Sequence, residues 1–193
     1  NSIMLMGDGA GGYAVVTCGG LTNTAEMEYF KFMGSNGLPF VDWTLWGDLE
    51  GFNGIYEGMY SYSNYPGHSS KVQLIVNMGG AMADTLWQEA GETPMLAFHA
   101  KADVFTPYAT AVVVVVSTGD PIIEVSGSYS FMVTANSLGN QSTLNAFSSK
   151  YEAIQGFTNS TSVEGLYAFG GVDVNGFMFD PWGWYDPSDP YFA

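Results

Sequence analysis

Apolar residues in this chain come in short runs, each stopped by glycine or aspartate. Ser2 to Met6 reads as a short buried strand ahead of Gly7-Asp8-Gly9, and Gly11 to Leu21 has helix length and closes on Gly19-Gly20. Lys71 to Met78 (KVQLIVNM) and Pro94 to His99 (PMLAFH) read as buried strands, one running into Gly79-Gly80 and the other into Ala100 to Asp103. Thr110 to Ser117 holds five consecutive valines, a poor helix sequence, and reads as a buried strand followed by Pro121 to Val125. Phe131 to Phe147 has mixed helical character, and Gly165 to Phe169 is the last strand. Between Asn23 and Ser70 periodicity fades and Gly, Asn, Tyr and Ser are dense, so an excursion with short helices is expected there. Such strands, alternating with helix-length segments, predict an α/β fold with a mostly parallel sheet flanked by helices. Chemistry is then expected where the strands end. One domain over 1–179 and a tail over 180–193, rich in Pro, Asp and aromatic residues, complete the reading.

Composition narrows the partners. The chain has 193 residues, 47% of them hydrophobic, which is enough for a core. Four lysines, no arginine and 19 acidic residues give a net charge of −15. That surface repels nucleic acid and anionic membranes, so neither is an expected partner. No apolar run is long enough to span a bilayer. The acidity suits an extracellular or cell-surface setting. Cys18 is the one cysteine, which rules out an intrachain disulfide, and it reads as a buried small hydrophobe. Two N-x-[ST] sequons, at Asn140 and Asn159, fall in polar stretches and are candidate glycosylation sites.

Candidate chemistry begins at the first strand. Met4-Leu5-Met6-Gly7-Asp8-Gly9-Ala10-Gly11-Gly12 has the setting of a nucleophile elbow, G-x-S-x-G, in which a serine sits on a sharp strand-to-helix turn. Gly9 stands where the serine would be. Downstream, Val76 to Trp87 (VNMGGAMADTLW) and Pro94 to Tyr108 (PMLAFHAKADVFTPY) add His, Asp, Pro and Tyr in a recognisable order. With these segments the chain resembles the α/β-hydrolases, within them secreted bacterial carboxylesterase-like or lipase-like proteins, over roughly Ser2 to Phe177.

The resemblance implies a nucleophile at Gly9, an acid at Asp103 and a general base at Val174, in the stretch Phe169-Gly170-Gly171-Val172-Asp173-Val174. Two of the three cannot act. Both histidines, His68 and His99, precede Asp103; His99 reads as structural and His68 as lying in an exposed loop. The three positions are therefore expected to be relics, since a triad needs hydroxyl, imidazole and carboxylate together. In the family the elbow strand is central, and other strands precede it. The expected architecture is the C-terminal part of an α/β-hydrolase-like sheet, with N-terminal strands missing or supplied by another chain. The Ser2–Met6 edge would pair with a separate N-terminal fragment or with a second copy. Asp173 and Asn175 hint at a calcium loop but lack its distal Glu, so solvated turn residues, no metal and no cofactor are expected. The functional expectation is a catalytically inactive, extracellular, self-assembling subunit with a structural or interaction role, a filament being one form of that assembly. The alternatives are an active esterase or lipase completed by another chain, and a binding protein using the relic pocket.

Overall fold

A computed structural model describes residues 2–49, 53–56, 58–60, 62, 67–115, 117–145 and 162–169. The chain divides into two compact units: residues 21–71 form one, and residues 1–20 and 72–193 the other. The excursion anticipated from Asn23 to Ser70 is the smaller unit, almost to the residue.

The larger unit is built on four parallel strands: β1 (Met4–Asp8), then, after the smaller unit's β2 (Ile55–Tyr56) and β3 (Met59–Tyr60), β4 (Leu74–Met78), β5 (Met95–Ala100) and β8 (Leu166–Phe169). They lie in the order β1-β4-β5-β8, so the sheet grows in one direction as the chain proceeds. The register aligns Gly7 with Asn77, Asn77 with Ala97 and Ala97 with Leu166. The predicted mostly parallel α/β architecture is present. A separate antiparallel hairpin, β6 (Thr110–Val114) and β7 (Pro121–Ser126), follows β5.

Helix α1 (Ala10–Gly20) links β1 towards β4, and α3 (Ser128–Ser137) with the short α4 (Ser142–Asn145) lies between the hairpin and β8. The short α2 (Trp43–Trp46) belongs to the smaller unit. Crossovers of one hand that step in one direction place their helices on one side of a sheet. The contacts agree. Gly12 and Gly19 of α1 approach Asn77 and Ile75, while Ser128 of α3 bonds Asn77 and His99. Side chains alternate across a strand, so these residues share a face. On it Ile75, Asn77, Met95, Ala97, His99 and Leu166 are all sealed from solvent. The opposite face is half open among the described residues. Met4 and Met6 are 56% and 53% exposed, and Phe98 and Tyr167 stack at 4.6 Å with only partial cover. The first strand was expected to be buried; its outward residues are not, because nothing described packs over them.

Close approach of α1 to the sheet depends on glycine. A methyl group on Gly7 would run into the carbonyl of Gly11, and one on Gly12 would lie 2.9 Å from Gly80 Cα. Cys18, expected inside, is on the outer side of α1 and exposed. The framework ends are tied by side chains. Gln141 grips both backbone groups of Met95, accepting from its N–H at 3.1 Å and donating to its carbonyl at 2.7 Å.

In the smaller unit, Asn23 and Glu26 form a capping box on the 3-10 helix Thr24–Glu28, and Asp42 caps α2. β2 and β3 pair as a two-stranded ribbon. Phe32 is buried, whereas Phe30, Met59 and Tyr62 stand in solvent.

The glycine contacts give a direct test. Gly12→Ala should lower stability by about 2 kcal/mol or more through overpacking. Gly11→Ala, with open space around its added methyl, should raise it by roughly 0.5–1 kcal/mol through helix propensity. Urea unfolding of the two variants beside the parent measures both signs.

Candidate functional site

The sheet delivers its residues of chemical interest to one edge, where β1, β4 and β5 end. β1 stops at Asp8, and Gly9 turns the chain into α1 with φ +51°. Its N–H donates to Met78 O at 2.9 Å and its carbonyl accepts from Tyr13 N at 3.2 Å, so one residue ends a strand and starts a helix. A side chain on Gly9 would meet no atom within 4 Å. The sharp turn anticipated from the glycine pattern is therefore formed, and it aims its central position into open space. Left-handed backbone suits glycine and strains other residues.

Asp103 arrives at the same edge from the loop after β5. Its Oδ1 accepts from the N–H groups of Phe105 at 2.8 Å and Thr106 at 2.9 Å, making a tight turn cap. Its Oδ2 lies 3.6 Å from His99 Nε2 and faces Gly79, the residue that follows the β4 carbonyl bound by Gly9. Tyr13, one helical turn beyond Gly9, bonds the Thr106 side chain. Burial pushes the Tyr13 phenol pKa up, and the Asp103 charge adds to this against the Thr106 bond. Gly9 and Asp103 are thus brought to one edge, with Tyr13 and Thr106 joining them.

Behind this edge lies a sealed polar chain. His99 and Ser128 are both 0% exposed, and His99 Nδ1 is 2.7 Å from Ser128 Oγ. His99 Nε2 faces the Thr106 carbonyl at 3.1 Å, which can only accept. Nε2 therefore carries the proton, and Nδ1 accepts from the Ser128 hydroxyl. Ser128 Oγ in turn accepts from Asn77 Nδ2 at 3.0 Å. Asn77 also donates to Gly80 O at 3.1 Å and accepts from Gly80 N at 3.0 Å. Hydroxyl, imidazole and carboxylate do line up here, but the chemistry of a hydrolytic triad does not follow. The hydroxyl is sealed inside the protein and already accepts from an amide, and the Nε2 proton is held by the Thr106 carbonyl rather than by the carboxylate, which lies 3.6 Å away. The arrangement locks β4, β5 and the start of α3 together. Burial lowers the His99 pKa, opposed by the Thr106 carbonyl and the Asp103 charge.

The remaining sequence candidates divide. Asn140 was expected on a polar loop, open to glycosylation; it is 7% exposed, and its amide donates to Glu89 O at 2.9 Å and accepts from Gly91 N at 2.8 Å. A glycan on that nitrogen would displace this brace, because the sequon lies in the framework between α3 and α4. Asn159, Val174, Asp173, Asn175 and the 180–193 tail lie outside the described residues. Among the described residues no cluster of His, Cys, Asp or Glu is arranged to hold a metal, and no helix is long and apolar enough to cross a membrane. Sequence reasoning passed over Asn77 and Ser128. A lone polar residue in the apolar run LIVNM was the available signal for the first. Ser128 had none, because its partners are 51 and 29 residues away.

Comparison with known protein families, curated proteins and solved structures finds no match to this chain.

Two outcomes are expected of the sealed chain. Ser128→Ala should cost about 1–3 kcal/mol, since it leaves the Asn77 and His99 groups buried without their partner. The parent should lose stability as pH falls below about 6.5, the unfolded histidine value, because there the unfolded chain binds a proton that folded His99 resists. Urea titrations at pH 7.5 and 5.5 measure this, and the parent's loss should exceed that of His99→Gln.

Proposed function

We propose that this chain is a non-catalytic α/β-hydrolase-like domain with a structural or interaction role outside the cell. One observation carries the reading: the strand-to-helix turn presents a strained, open position suited to an attacking side chain, and glycine occupies it. Among the described residues the other candidate members of a hydrolytic triad are committed elsewhere. His99, the histidine beside Asp103, is sealed and committed at both nitrogens. Asp103 serves as a turn cap. The sequence segments that resemble the hydrolases and the one-directional parallel strand order support the family assignment. The acid-rich surface, with net charge −15, supports an extracellular setting.

The interaction role rests on what the sheet leaves open. Among the described residues β1 pairs on one side only, with β4, and its Met4 and Met6 side chains face solvent. A parallel sheet is ordinarily covered on both faces and paired along its inner strands. In this reading, a further strand or a second copy completes it.

Purified protein should release no alcohol from short acyl esters above the buffer rate. Gly9→Ser should stay inactive, because His99, the histidine beside Asp103, is sealed and held at both nitrogens. Ester turnover by the parent that disappears in Asp103→Ala would overturn the proposal in favour of a working hydrolase.

A further inference from the structure

As far as Val115, the valine run is not a core strand. In β6 the residues from Thr110 to Val114 are exposed except for a half-buried Val113, and Val112 is 48% exposed. β6 and β7 form a two-stranded ribbon with apolar side chains in water, which is marginal by itself.

The two outer edges of this ribbon differ. Natural edge strands are protected from unwanted pairing by proline, charge, bulges or a covering segment. β7 has all four: Pro121, Glu124, a register break that leaves Ile122 unpaired, and at its base the Met82 backbone, bonded to Ser126 in both directions at 2.8 and 2.9 Å. β6 has none. From Thr110 to Val116 its sequence, TAVVVVV, carries no charge and no proline, and among the described residues β7 is its one strand partner.

The register shows which backbone groups are on offer. Ser126 turns its N–H and C=O to Met82, away from β6, so its opposite number Thr110 also points outward. In an antiparallel ladder this alternates, and Val112 points outward too.

We propose that the outer edge of β6 pairs antiparallel with β6 of a second copy, about a two-fold axis near Val112, to form a four-stranded sheet β7-β6-β6-β7. Charge selects the partner and the edge. Two chains of net charge −15 repel almost everywhere, but this strand brings only valine, alanine and threonine to the contact. A basic protein drawn by the net charge would find nothing to bind on it. With Glu124 opposite Val112, the two Glu124 residues of the dimer stand three strand spacings apart, about 14 Å, beyond the screening length of roughly 8 Å at physiological salt. Pairing through β7 would instead bring them face to face at about 5 Å. The dimer's outer edges are then the two protected β7 strands, so assembly through this contact stops at two. This rests on the interaction role proposed above and gives it a contact separate from the open side of β1, and ester turnover bears on the catalytic half of that reading alone.

Sedimentation velocity on the full chain from 1 to about 100 µM tests it, with three variants. The parent should form a discrete dimer. Val112→Lys sets two like charges across the axis and should raise the dissociation constant by about tenfold or more. Val112→Pro removes an outward N–H without touching the β7 ladder and should do the same. Ile122→Lys, which removes more exposed apolar surface than the Val112 change but on the protected strand, should leave the dimer intact. A parent that stays monomeric, a dimer indifferent to both Val112 variants, or one weakened equally by Ile122→Lys would each overturn the proposal.

Discussion

The bond from Ser128 to His99 is the constraint on which the larger unit turns. A hydroxyl and an imidazole with no access to water must satisfy each other, because an unmet buried polar group costs more than a met one gains. Their mutual need fixes the first turn of α3 against β5. Asn77, reaching Ser128 from β4 and Gly80 from its own turn, extends the same requirement across two strands. Hydrophobic burial drives the layer together but is indifferent to direction. This chain of directed bonds selects one register for β4, β5 and α3.

That selection has a steric counterpart at Gly12 and Gly80. The polar chain can be buried only if α1 comes down closely on Asn77, and the absence of side chains at these two positions allows it. The turn at Gly9 follows from the same demand: the strand must reverse into a helix within one residue of the β4 carbonyl that holds it. Glycine resolves the backbone strain there and, in doing so, forgoes any chemistry from that position.

How much of this was legible depended on the range of the interaction. Runs ending in glycine or aspartate located β1, β4, β5 and β8, because a buried parallel strand leaves a local apolar signature. The Asn23 to Ser70 excursion was legible as loss of periodicity. Burial was harder to read. The valines of β6 and the methionines of β1 look like core by composition, yet they are exposed, since burial depends on what arrives from elsewhere in the chain. Cys18 went wrong for the same reason, as one of the apolar positions on a short helix whose inner face is three glycines and Val16. Asn140 had the composition of a loop and the geometry of a brace. At the site, Gly9 and Asp103 were visible as turn residues, while the polar chain behind them was not. It joins residues far apart in sequence through single hydrogen bonds that leave no pattern.

The smaller unit leaves after Gly20 and the chain rejoins at Val72, so topologically residues 21–71 are one connection within a single crossover between neighbouring parallel strands. The entropy of closing such a connection grows only logarithmically with its length, about 0.6 kcal/mol per doubling. The pairing of β1 with β4 is therefore nearly indifferent to what the connection contains. Lineages of this fold can lengthen, shorten or rewrite those 51 residues, with their exposed aromatics, at small cost to the sheet. The crossover is where such a protein is freest to diversify.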